Sequence, residues 1–431
     1  MPDMNRHHQI RGLIASAGIA LLWVFLLPQV RDEVNLMVIT VVCAAVALAV
    51  IQDLKTRQDY RSILVLLAPV GFFLVLAVVT SLVRMPAISS LREVLLVLAI
   101  FVAGVFFSKV AGLHFTLLGV LVGAVAAAAL SWFLSVDHFL SIGNYFETAI
   151  RRGGVSGNRA IEYASSLAGI AAGLSLLHKK RWRFFALVPP IALLVMTLVF
   201  SGSVTARIGL MGTIVAVCLL LLRKTRFERV AGFLALGVSI AFSILLLLLV
   251  TLREQVLAVV SVFDSPNDLE ARLMSWESIL KALDSAGAFF GYGATFWLEG
   301  SAVGELANQP LKGQNYGPFD ISHSIYLDAL VAFGIVGVIV IGALIWGVLR
   351  KADGERKVAH QWTEFAAPWI FAAAIGITGV TDSFLAYRPA GWLLLGLLYG
   401  AFLGRMRLDE VFITKVAKKL AEKNAGSVAG P

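Results

Sequence analysis

The chain has 431 residues, 59% of them hydrophobic and 15% charged, with a formal net charge of +9 and a mean hydropathy of +0.85. That composition excludes a soluble globular enzyme and a disordered polymer, and leaves an integral membrane protein. A nucleic-acid partner is not needed to explain the positive charge, because the basic residues gather in short segments between apolar runs.

Crossing the hydrocarbon takes roughly 20 mainly apolar residues per helix, and such runs recur along nearly the whole chain. They predict spans near 12 to 28, 34 to 51, 62 to 83, 91 to 108, 112 to 136 and 160 to 177. A second set is predicted near 184 to 201, 206 to 222, 229 to 252, 323 to 349, 362 to 380 and 390 to 405. The expected fold is therefore all-α and polytopic, a single integral membrane domain over 1–431 with about twelve transmembrane helices. The first run follows a basic start with Arg6 and Arg11 and is not followed by a small-residue cleavage motif, so it is expected to be a retained span. Cys43 and Cys218 both fall inside apolar runs, which argues against a disulfide framework and against a zinc-type cluster.

Cytoplasmic loops retain excess Lys and Arg during insertion. With the N-terminus inside, 24 of the 36 Lys and Arg fall on the cytoplasmic side, including Lys179, Lys180, Arg181 and Arg183, and Arg223, Lys224, Arg226 and Arg229. Both termini are then cytoplasmic. The tail 406–431, with its basic stretch from Lys415 to Lys423, is expected to be amphipathic or disordered near anionic headgroups. The longest outer segment, 253–322, lies between the ninth and tenth spans, and loops of that size are usually functional. It contains a helix signature: Ser265 as N-cap, Pro266 at the first position, Asp268 in the first turn, and a stripe of Leu269, Leu273, Trp276, Leu280 and Leu283.

Three outer basic residues stand out. Arg207, in SGSVTARIGLMG, is the only charged group between Phe200 and Arg223 and sits at the outer, N-terminal end of a span. A cation there opposes both the helix dipole and the insertion bias; a bound anion such as phosphate offsets both, while snorkelling to the headgroups is the bland alternative. Arg272 projects beside Trp276 and Ile279, on the flank opposite Glu270, Glu277, Lys281 and Asp284, as expected for a residue that faces protein. Packing of its stem, or pairing with Asp268, would place it there equally well. His323 begins the tenth span in FDISHSIYLDALVAFGIVG, within the first turn after Asp320 or Ser322. The dipole there favours neutral imidazole, which could accept a hydroxyl proton or serve only as a hydrogen-bonded cap. Weaker candidates are Arg151, Arg152 and Arg159 in RRGGVSGNRAIEY, and Asp382 with Arg388 between the last two spans. Gly153, Gly154 and Gly157 form no phosphate-binding fingerprint, since no strand precedes them.

Taken in order, RRGGVSGNRAIEYA, SGSVTARIGL, EARLMSWESIL followed by GYG, and HSIYLDALVAFGIVG resemble the O-antigen ligase and polymerase superfamily. The resemblance covers about 150 to 345, and its most specific element is the spacing of His323, Leu327, Leu330, Gly334 and Gly337. NRAIEYA departs from the Asn-Pro-Ile-like sequence common in ligases. The resemblance implies a GT-C-like membrane glycosyltransferase of the Gram-negative inner membrane, with its site facing the periplasm within reach of the loop 253–322. It implies an undecaprenyl diphosphate-linked O-antigen as donor. Its key basic residues map onto Arg207, Arg272 and His323, the two arginines on the diphosphate and the histidine as base or orienting group. Arg152, Arg388 and Asp382 are secondary substrate-binding candidates.

The expected reaction joins this glycan to lipid A-core oligosaccharide with inversion, without cofactor and without metal, no cluster of outer carboxylates resembling a divalent-cation site. A polymerase of O-antigen or exopolysaccharide, or a protein O-oligosaccharyltransferase, shares the donor. The ligase is preferred because the chain carries no large soluble periplasmic domain. A transporter or lipid flippase predicts mid-membrane charges and an internal repeat, whereas the notable charges lie at outer ends.

Overall fold

The computed structural model describes residues 2–26, 87–134, 159–177, 181–200, 206–207, 209–215, 267–283, 285–292, 324–359, 367–378 and 389–402, with single positions at 72, 75, 252, 254 and 255. Among the described residues all regular structure is helical. The expected spans near 34 to 51, 62 to 83 and 229 to 252 lie outside them, apart from isolated positions.

Helix α1 (Pro2–Leu26) is followed by α2 (Ala87–Leu134), which is broken at Gly112 by φ 72° and ψ 168°. That backbone region is open essentially to glycine alone. The break falls where the sequence places the boundary between the fourth and fifth spans. Helices α3 (Arg159–Leu176) and α4 (Arg181–Phe200) follow. Next come α5 (Asn267–Ala282) and the short α6 (Ser285–Phe290), then α7 (Ile325–Ala359), α8 (Ala367–Thr378) and α9 (Pro389–Phe402). By length and composition, the stretches Leu98–Phe133 and Tyr326–Ala352 are apolar and long enough to cross a membrane.

Glycines set how closely the helices approach, since their missing Cβ lets a neighbouring backbone move in. Gly119 meets Ser16 and Ile19, and Gly123 meets Ala20 and Trp23, so α1 runs parallel to the second half of α2. Gly396 lies on the Phe101 carbonyl and Gly400 on Val105, so α9 runs parallel to the first half of α2. Gly169 faces Ala124 and Leu194 while Gly173 faces Leu121 and Ile191, which makes α3 antiparallel to both the second half of α2 and α4. The antiparallel pairings of α3 are those that alternating insertion assigns to the consecutive fifth, sixth and seventh predicted spans.

Several polar groups within these apolar helices are bonded internally, as hydrocarbon favours. Trp23 Nε1 donates to Ser165 Oγ at 2.9 Å, and Trp132 Nε1 to Thr197 Oγ1 at 3.0 Å. Thr116, Ser175, Thr197 and Thr213 each return their hydroxyl to the carbonyl four residues earlier. Outward-facing apolar side chains, among them Phe185, Met196, Ile335, Ile339 and Trp346, form a surface suited to lipid.

Candidate functional site

The best-defined part of the candidate site is the crossing between the loop carrying α5 and the start of α7. On α5, Leu273 and Trp276 are fully buried and Ile279 nearly so, with Ser275 buried beside them. The covered face therefore reaches further round the helix than the predicted leucine stripe, toward Ile279. Arg272 is half-buried on that side, one turn before Trp276. On the opposite flank Lys281 is exposed and its Nζ donates to Glu277 Oε1 at 2.6 Å. Ser265, Pro266 and the side chain of Asp268 lie outside the described residues, so the expected cap and the Asp268 pairing do too.

After α5 the chain makes the single turn and a half of α6 and stops at Gly291. The Gly291 N–H donates to the Gly287 carbonyl at 2.8 Å with Gly291 at φ 78°, the glycine helix stop that satisfies one terminal carbonyl. Tyr292 then turns back, and its hydroxyl donates to the Ala282 carbonyl at 2.9 Å, tying the end of α6 to the end of α5.

Helix α7 is not continuous either. Gly334 has φ 63° and ψ −175°, so a first segment, 325–333, is set off from the rest of the helix. Carbonyls in the last turn before such a break lose their helical partners. The Val331 carbonyl is one of them, and the Tyr292 N–H occupies it at 2.7 Å. The two glycines make this approach possible from both sides. A Cβ on Gly334 would strike the Phe289 carbonyl and the Phe290 amide, and a Cβ on Gly291 would strike the Ala332 carbonyl and the Phe333 amide. Phe333, at the end of the segment, packs edge-on against Trp392 of α9 with ring centroids 5.9 Å apart.

The segment 325–333 begins two residues later than Ser322 as cap would place it, and four later than Asp320 would. Ser324 is the N-cap: its carbonyl accepts the Asp328 N–H at 2.9 Å, and its buried hydroxyl accepts the Leu327 N–H at 3.5 Å. His323 precedes that cap in sequence. His323 itself lies outside the described residues, as do Arg151, Arg152, Asp320, Asp382 and Arg388; Arg159 is described only as the first residue of α3. Asp328, which the sequence reading did not single out, is completely buried in this segment. Its signal was available: an acidic residue in an otherwise apolar run after a serine.

Arg207 is exposed on a short helical stretch that includes 209–215. Its neighbour Ala206 is fully buried in the apolar core, and Leu210 is partly buried against that core. The arginine therefore leaves the packed interior while its own backbone is held against it. Among the described residues, no group of three or more His, Cys, Asp or Glu side chains converges on one point.

Residues 189–342 match the family model Wzy_C, described as O-antigen ligase. The matched segment contains Arg207, Arg272 and His323 together with the Gly291–Gly334 crossing. No curated protein matches the chain. Over this segment, which is less than half of its length, the chain is similar to the O-antigen ligase family.

Proposed function

We propose that the protein is an O-antigen ligase that transfers a glycan from undecaprenyl diphosphate to lipid A-core oligosaccharide on the periplasmic face of the Gram-negative inner membrane. The family match supports an enzyme of the O-antigen ligase and polymerase type in general. The observation that carries the reading is the crossing of the Arg272 loop over the half-helix that follows His323, inside that matched segment.

Charge accounting gives the roles. A diphosphate is already a good leaving group, so the enzyme has to hold the anomeric carbon in line, neutralise charge growing on the departing oxygen, and take the proton from the attacking hydroxyl. Arg207 and Arg272 suit the first two tasks, since a guanidinium binds phosphate oxygens through two parallel hydrogen bonds. His323 suits the third, or orients the hydroxyl by a hydrogen bond. One in-line displacement inverts the anomeric configuration. Arg152, Arg388 and Asp382 are secondary substrate-binding candidates in this reading. In this reading the segment 253–322 is the periplasmic loop that carries Arg272.

The test is transfer by the purified protein in proteoliposomes containing undecaprenyl diphosphate-linked O-antigen and lipid A-core. Glycan appearing on lipid A-core is the expected product. Lengthening of the lipid-linked glycan without transfer to lipid A-core would identify a polymerase instead.

A further inference from the structure

The depth of α6 is fixed by α7. Gly334 lies against the Phe289 carbonyl and the Phe290 amide, so the end of α6 and the break in α7 stand at one level. Beyond that break α7 has no charged residue until Arg350, which is exposed. The helix from Gly334 to Arg350 rises about 24 Å at 1.5 Å per residue, and the hydrocarbon layer of a bilayer is about 30 Å thick. With Arg350 at one boundary, Gly334 and the end of α6 therefore lie about 6 Å inside the other.

The surface of α7 changes at the same level. From Tyr326 to Gly334 its residues are buried or half-buried, whereas from Ile335 onward an outward face runs through Val338, Ile339, Gly342, Ala343 and Trp346 at helical spacing. Helix α6 extends this apolar face. Phe289 and Phe290 are 58% and 51% exposed, with ring centroids 6.4 Å apart, and no charged residue occurs in 286–292. Backbone groups at membrane depth need partners within the protein. The Gly291 N–H has the Gly287 carbonyl and the Tyr292 N–H has the Val331 carbonyl. The polar surface lies one element earlier, on α5, where Lys281 is exposed and paired with Glu277.

We infer that α6 is immersed in the bilayer, with Phe289 and Phe290 inserted among the acyl chains of the leaflet opposite Arg350. The segment carrying α5 and α6 is thereby held at the membrane in two ways, by its backbone bond to α7 and by these two side chains. The partner is lipid hydrocarbon, since a phenyl pair offers neither charge nor hydrogen bond to a headgroup or a soluble ligand. The inference is independent of the reaction the protein catalyses.

Immersion is measured by nitroxide labelling of the full-length protein in proteoliposomes of phosphatidylethanolamine and phosphatidylglycerol, with Cys43→Ala and Cys218→Ala removing the native thiols. Single labels are introduced through Phe290→Cys, through Ile339→Cys on the outward face of α7, and through Lys281→Cys on the exposed flank of α5. Collisions with oxygen, which partitions into hydrocarbon, are compared with collisions with a water-soluble nickel chelate. The label at position 290 is expected to favour oxygen as the label at 339 does, while the label at 281 favours nickel. A label at 290 that meets nickel as freely as the one at 281 overturns the inference. So does a label that meets neither reagent, the result for a face covered by a second copy or by another part of the chain. If Phe290→Cys does not reconstitute, Phe289→Cys takes its place with the same expected and contradicting results.

Discussion

Tyr292 donates its backbone N–H to the carbonyl of Val331 at 2.7 Å, joining the loop that carries Arg272 to the half-helix that begins at Ser324. The bond exists because Gly334 breaks α7 and leaves that carbonyl open, while Gly291 brings the loop close enough to reach it. A helix break inside an apolar run would be a defect if nothing covered it. Here it is a docking point for the segment that carries α5 and α6.

Replacement of either glycine by alanine should therefore do more than remove flexibility. At Gly334 the φ and ψ alone cost roughly 1–3 kcal/mol for a side-chain-bearing residue, and the Cβ collides with the backbone of Phe289 and Phe290 in addition. Gly334→Ala and Gly291→Ala are expected to lower the unfolding midpoint in detergent and to reduce transfer. Gly342→Ala is the control, with nothing within 4 Å of its added Cβ; it should leave both unchanged or raise stability by up to about 1 kcal/mol.

Tyr292→Phe keeps the bond to Val331 and removes only the hydroxyl contact to Ala282. The expected cost is about 1 kcal/mol, read as a small fall in the unfolding midpoint. Transfer should fall less than in either glycine variant, since the crossing itself is preserved.

Much of this architecture was legible in the sequence, and the part that was not has a physical cause. Hydropathy marks where helices lie, and the boundaries around Gly112, Arg159 and Pro389 follow from charge, glycine and proline at the ends of apolar runs. The break at Gly334 falls inside the uninterrupted apolar run predicted as one span from 323 to 349. Nothing local distinguishes a glycine that breaks a membrane helix from one that packs within it, such as Gly342. The break depends on Gly291, distant in sequence. In the same way, Arg272 could be placed on the Trp276 and Ile279 flank by angular spacing, but its half-burial depends on what covers that flank. Ser324 lost the cap assignment to Asp320 and Ser322 because all three are good N-caps by residue type.

The two arginines should separate kinetically from one another by chemistry. Arg207→Ala and Arg272→Ala are each expected to lower kcat/KM for the lipid-linked donor by roughly 10- to 1,000-fold, the range for removing a charged stabiliser of a developing anion. Arg207→Lys should recover part of that loss, because an exposed ammonium still offers charge. Arg272→Lys should recover less, since the half-buried site calls for a weakly hydrated planar cation. Equal recovery at both positions would speak against a directed role for Arg272.

Transfer is expected to be unaffected by excess EDTA, with two arginines supplying the positive charge that a divalent cation supplies in other diphosphate chemistry. Loss of activity on chelation, restored by Mg²⁺ or Mn²⁺, would contradict this.

Expression in two deletion strains, one lacking its O-antigen ligase and one lacking its O-antigen polymerase, followed by gel analysis of lipopolysaccharide, tests the central assignment most directly. Restored attachment of long-chain O-antigen to lipid A-core in the first strain is the predicted result. Rescue of chain elongation in the second strain alone would contradict it.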